Sequence, residues 1–189
     1  DLEQRSFNYF WETADTRTGL VPDRWPTPSF ASVAAVGFAL SAYPVAVARH
    51  WVTRAQAAER TLTTLRFFAN APQGPQATGM TGYKGFFYHF LDMKTGARFG
   101  QVELSTVDTA LLLAGALHCQ SFFDGNDATE TQIRSLAEQL APLLGVPVQV
   151  DYRPGAGGSL GLTALAAGLE RHGLTLDEGG LRARIDDGT

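Results

Sequence analysis

Apolar residues recur three or four apart at the start of the chain. Leu2, Phe7, Phe10, Trp11 and Ala14 fall on one face, which predicts an amphipathic helix over residues 1–14. The spacing then stops. Residues 15–29 carry Thr18-Gly19 and three prolines, the signature of a loop. Ser32 is placed to cap a second helix running to about His50, slim enough along Ala34, Ala35, Gly37, Ala39 and Ala42 for close packing. Pro44 falls inside it and is expected to kink or split it, because proline lacks the amide that the helix ladder needs. Thr53 and Gln56 have capping-box spacing for a third helix that Leu62, Leu65, Arg66 and Phe68 carry to about Asn70. The short link between the second and third helices predicts an antiparallel hairpin.

Residues 71–84, rich in Gly, Pro and Gln, read as a long loop. Residues 85–91 and 97–104 flank the turn Asp92–Gly96 and predict a β-hairpin inserted between helices. Ser105 and Asp108 open a fourth helix, and the nearly continuous apolar run from Val107 to Leu117 requires burial on most sides. Asp127 and Glu130 open a fifth, running towards Leu140. After Gly145 the pattern changes to a short strand (146–150), a glycine loop (153–158) and a helix (159–172), an α/β unit unlike what precedes it. Residues 177–189 carry few apolar groups and read as a flexible tail.

Composition narrows the choice of chemistry. The 189 residues carry a net charge of −4 without a run of Lys or Arg, which argues against nucleic acid as a partner. The longest apolar run, Ala110–Leu117, is too short to span a bilayer, so no membrane insertion is expected. Cys119 stands alone in an apolar stretch and reads as a buried thiol. No Cys, His and acid cluster has zinc spacing, so no metal or other cofactor is expected. The start at Asp1, without Met or a signal-like stretch, is expected of a processed or trimmed product. Aromatic residues gather before residue 125, where they serve core packing or the faces of sugars.

Three segments carry a family resemblance: residues 10–24 (FWETADTRTGLVPDR), 82–92 (GYKGFFYHFLD) and 102–110 (VELSTVDTA). Over residues 1 to about 140 the chain resembles the glycoamylase-like domain family, relatives of β-1,2-glucan-acting glycoside hydrolases. The resemblance implies a mainly α fold, here a partial (α/α)6 toroid of helical hairpins with a small β-hairpin insertion. It also implies a glucan or oligosaccharide substrate in a cleft lined by loops, and export to the periplasm or exterior. That domain needs a longer chain than this one, so a truncated and inactive product is an open alternative. Residues 133–176 are similar instead to the periplasmic substrate-binding proteins of tripartite tricarboxylate transporters, which adds a short strand-loop-helix α/β fragment over 141–176. In that reading the 154–158 glycine loop offers amides to a small carboxylate, or is simply a tight turn.

Glycosidic hydrolysis needs carboxyl groups beside the scissile bond. Glu103 is the first candidate for the acid, with partial burial expected to raise its pKa; an exposed loop carboxylate is the competing reading. Asp108 follows as a catalytic candidate, although its spacing from Ser105 makes a capping box that would turn its carboxylate back to the Ser105 amide. Asp92 is the third, although aspartate is common at such a turn. For substrate binding the candidates are Asp23, Arg24 and Trp25 on the first long loop, and Lys84, Tyr88 and His89 in the second motif. Arg24 could bond hydroxyl groups and Trp25 stack on a pyranose, or the loop could hold only an Asp23–Arg24 surface pair. Strand periodicity puts Phe86 and Tyr88 on one face and Phe87 and His89 on the other. Oligomeric state is open.

Overall fold

The computed structural model describes residues 2–140 and, as backbone, residues 175–177 and 180–182. The strand, glycine loop and helix expected within 141–174 lie outside the described residues. The elements run α1 (Leu2–Thr13), β1 (Ala31–Ser32), α2 (Val33–Ala48), α3 (Arg54–Ala69), β2 (Gly82–Tyr83), β3 (Phe86–Tyr88), β4 (Phe90–Leu91), β5 (Leu104–Ser105), α4 (Thr106–Phe122) and α5 (Ala128–Leu140). Further on, β6 (Thr175–Asp177) and β7 (Gly180–Arg182) pair antiparallel, so part of the stretch expected to be a flexible tail is strand.

Helix starts follow their caps. Ser32 Oγ accepts from the Ala35 amide, Thr53 and Gln56 close a reciprocal capping box, and Asp127 Oδ1 accepts from the Glu130 amide at 2.9 Å. Each cap thereby satisfies one or two of the polar groups that a helix start leaves without intrahelical partners. Two helices, α2 and α4, are apolar nearly all round and lie side by side. The amphipathic helices back them: α1 packs Phe7 and Trp11 on Trp51 and Tyr43, and α3 packs on both α2 and α5. Thus the closest pairing is α2 with α4, two helices apart in sequence, while the sequence neighbours α2 and α3, and α4 and α5, also pack together as expected of the toroid's helical hairpins.

That pairing depends on glycine. A Cβ on Gly37 would stand 2.4 Å from the Leu111 carbonyl oxygen, and one on Gly115 would stand 2.4 Å from the Gly37 carbonyl oxygen. The two backbones therefore touch. Contacts run Ala34 to Asp108, Gly37 to Leu111 and Leu40 to Cys119, a rising register that makes the helices parallel and brings their N-termini together.

Of the two outcomes expected of Pro44, a kink or a split, the split does not occur: α2 runs through it from Val33 to Ala48. Its missing amide deprives the Leu40 carbonyl of its helical donor. The Cys119 thiol occupies that place, with Sγ 3.1 Å from the Leu40 oxygen. Burial pushes that thiol up to about 12, so it stays protonated and able to donate.

The β-insertion also differs from expectation. Where residues 71–84 are expected to be loop, a hairpin joins β2 to β3, with Tyr83 opposite Phe86 across Lys84 and Gly85. Both turn residues have positive φ (50° and 84°), as a two-residue hairpin turn matched to strand twist requires. The turn at Asp92 is present, bridged between Leu91 and Arg98, but its flanks do not form one long hairpin. Instead β3 pairs with β5, immediately before α4, and β4 pairs with β1, immediately before α2. Phe87 and Tyr88 are both buried, on opposite faces: Phe87 meets Phe68 edge-on, and the Arg98 guanidinium covers Tyr88.

Candidate functional site

One residue, His89, separates β3 from β4, and so lies where the strand switches from the entry of α4 to the entry of α2. Backbone bonds fix it on both sides. Its amide donates to the Glu103 carbonyl at 3.0 Å, and its carbonyl accepts from the Val33 amide at 3.3 Å. The ring stacks on Phe90 with centroids 3.9 Å apart. Nδ1 donates to Glu103 Oε1 at 2.8 Å, and Nε2 faces Asp108 Oδ1 at 3.8 Å. An imidazole thus stands between two carboxylates above the N-termini of two parallel helices.

The two acids differ. Asp108 is buried. The Asp108 amide donates to Ser105 Oγ, but the carboxylate does not turn back to the Ser105 amide as its capping spacing predicts. One oxygen takes the Ser105 hydroxyl and the other accepts from the Ala34 amide at 3.2 Å. The close approach of α2 puts a second set of unsatisfied amides, with the partial positive charge of a helix start, within reach of that oxygen. Glu103 is 68% exposed in its side chain. The expected rise in its pKa is therefore corrected: its own backbone amide, then the His89 hydrogen bond, hold the carboxyl below its ordinary value. Desolvation, which would raise it, is outweighed by these bonds.

The first long loop approaches the same rim. Asp23 donates its amide to the Phe30 carbonyl, and Arg24 lies 3.8 Å from the Asp23 carboxylate and over the Phe30 ring. Phe30 meets Phe90 and Phe99, with centroids 4.2 and 4.8 Å apart, which links this loop to the His89 ring stack. Trp25 is 67% exposed. The sequence reading missed Phe30, Phe90, Phe99 and Arg98; the density of aromatics was the available signal for the first three, and nothing local marked Arg98.

Three candidates stand apart from this cluster. Asp92 Oδ1 accepts from the Lys94 and Thr95 amides and the Thr95 hydroxyl, so it serves its own turn, and these bonds, with Thr95 foremost, lower its pKa. Lys84 sits in the β2–β3 turn with its ammonium over Tyr83. Tyr88 is buried under Arg98. None of the three has a hydrogen bond or ring contact with Glu103, His89 or Asp108. Among the described residues no group of His, Cys, Asp and Glu is arranged to hold a metal ion.

No family model matches the chain. It is 27% identical over 145 residues to an exo β-1,2-glucooligosaccharide sophorohydrolase of Parabacteroides distasonis, covering 74% of this chain and 19% of that protein. A Bacteroides uniformis protein assigned as a glucoamylase superposes with a TM-score of 0.66 at 28% identity, over 75% of this chain and 34% of the other. An endo-β-1,2-glucanase of Chitinophaga pinensis, solved with sophorotriose and glucose, superposes with a TM-score of 0.63 at 23% identity, over 75% and 35% of the two chains, a likeness of fold. None of these is a tricarboxylate-transporter binding protein. In sequence and fold the chain is similar, over about three quarters of its length, to glucoamylase-like and β-1,2-glucan-acting hydrolases, and it spans a fifth to a third of theirs.

Proposed function

We propose that the rim above α2 and α4 acts on a glucan or gluco-oligosaccharide, β-1,2-linked in the first instance, through carboxylate chemistry at Glu103. The observation that carries this reading is the exposed Glu103–His89 pair, backed by Asp108, in a chain similar to β-1,2-glucan-acting hydrolases. An exposed carboxylate beside a fixed imidazole is available to a substrate, whereas Asp108 is committed to two helix starts. Arg24 and Trp25 supply, in this reading, a hydroxyl-bonding group and a stacking face beside it, with Asp23 holding Arg24. Export to the periplasm or exterior, where such glucans would be met, belongs to the same proposal.

The five helices described between residues 2 and 140 are fewer than a ring of six hairpins needs, and glycoside hydrolysis needs a second carboxyl group. We assign that second group to the part of the toroid this chain does not span. Incubation of the purified chain with β-1,2-linked glucan oligomers, read by released reducing ends and by calorimetry, tests the reading. Binding or turnover that Glu103→Gln abolishes is expected. Absence of both binding and turnover would remove it.

A further inference from the structure

His89 is held more firmly than a sugar-contacting ring needs to be. Its amide and carbonyl are bonded to Glu103 and Val33, its ring face lies on Phe90, and each ring nitrogen faces a carboxylate. The asymmetry between those carboxylates gives the arrangement a direction. Asp108 is anchored by the Ser105 hydroxyl and the Ala34 amide, so it is the fixed end. Glu103 is solvated, and among the described side chains His89 is its hydrogen-bond partner, so it is the end the imidazole can steer.

Resting on the saccharide-acting reading above, we propose that His89 is a positioning residue that holds Glu103 as a carboxylate aimed at the rim, so that Glu103 accepts a proton in the reaction rather than delivering one. A proton donor at neutral pH needs an apolar, desolvated setting that stabilises its neutral form. Glu103 has the reverse. It is open to water, an N–H donor faces it, and the Arg98 guanidinium adds positive charge nearby while Arg98 Nε is tied to the Val102 carbonyl. Asp108, on the far side of the imidazole, is the opposing negative charge, and it acts on Glu103 only across the ring. In the step this implies, a water proton passes to Glu103 and the water oxygen bonds to the anomeric carbon. The glycosidic C–O bond breaks, and the leaving oxygen takes a proton from a second carboxylic acid.

The full chain with 13C-labelled glutamate side chains, titrated from neutral to acid pH, tests this. His89→Phe keeps a ring on Phe90 and removes both nitrogens. The Glu103 carboxyl signal is expected to titrate at lower pH in the unsubstituted chain than in this variant; equal midpoints would overturn the proposal. The unsubstituted chain supplies a second reading that no folding defect can obscure. The His89 Nδ1–H resonance should move through the Glu103 midpoint, and a resonance indifferent to it would overturn the proposal as well. Where turnover is measured, protonating a base inactivates the enzyme, so His89→Phe should move the acid limb of the pH–rate profile to higher pH. Movement of the alkaline limb instead would make Glu103 the proton donor and refute the assignment. The two titrations need no saccharide. A chain that failed to bind glucan would still report the ionisation of Glu103, and a failed titration would leave saccharide binding intact.

Discussion

The two ends of the α2–α4 pair hold similar residue pairs in opposite settings. At the C-terminal end, Glu130 meets the Arg54 guanidinium through two bonds of 2.6 and 2.8 Å and accepts the Gly125 amide at 2.6 Å. Arg54 also donates to Asp124 and the Phe122 carbonyl and lies over the Phe122 and Phe123 rings. Glu130 is buried and accepts these three hydrogen bonds. At the N-terminal end Glu103 has a single side-chain hydrogen-bond partner, His89, and most of its surface faces water. A buried carboxylate that accepts three hydrogen bonds ties elements together. One with lone pairs to spare is free for a substrate. The comparison shows that the type of residue pair says little, whereas the number of bonds and the degree of burial separate a structural clamp from a candidate reactive group.

The largest effect should come from breaking the clamp. Arg54→Ala leaves Glu130 buried without its cation, and should cost about 3 kcal/mol. The low end of the usual range applies because the Arg54 side chain is itself 40% exposed and solvent relieves part of the loss. Urea unfolding measures this, and saccharide binding should survive if the two ends are as separate as described. The same clamp predicts a pH dependence. Arg54 foremost holds the Glu130 pKa below its ordinary value. Its stabilisation is therefore present above the unfolded value of about 4.3 and is lost as pH falls through the folded one. Unfolding curves in Arg54→Ala should show a shallower loss on acidification than the unsubstituted chain.

Next in size is the seam between the ends. Gly37→Ala drives a methyl into the backbone of α4 and should destabilise by about 1–3 kcal/mol. Because the same seam sets the reach from Asp108 to the Ala34 amide, this variant should also weaken saccharide binding without touching the rim. Asp108→Ala strands the Ala34 amide and should cost about 1–2 kcal/mol. Smallest in stability is Glu103→Gln, whose thermal midpoint should match that of the unsubstituted chain because the group is exposed and has one side-chain partner. A shared loss of stability in Arg54→Ala and Glu103→Gln would erase the distinction between the ends.

What sequence made legible was local. Ser32, Thr53 and Ser105 sit at helix starts because a cap acts within three residues, and short-range chemistry is written in short-range sequence. The α2–α4 pairing is half legible: Gly37 marks a slim helix, but nothing names its partner, and the apolar run around Gly115 conceals that glycine's role. The β-insertion was misread because three residues or fewer per strand leave no periodicity, although positive-φ chemistry at Lys84-Gly85 was there to be used. Glu103, His89 and Asp108 were each singled out separately; their common cluster was not legible, because it arises from β3 and β4 pairing with strands far apart in the chain. Asp108 shows the limit most clearly. Its spacing predicted a bond within its own turn, and an amide 74 positions away in sequence took the carboxylate instead.

The most direct test of a saccharide site at the N-terminal rim is a backbone and side-chain NMR titration of the chain with a short β-1,2-linked gluco-oligosaccharide. The account predicts perturbations confined to Arg24, Trp25, His89 and Glu103 and their neighbours, abolished in Glu103→Gln. Perturbations clustered instead around Arg54, Asp124 and Glu130, or none at saturating sugar, would contradict it.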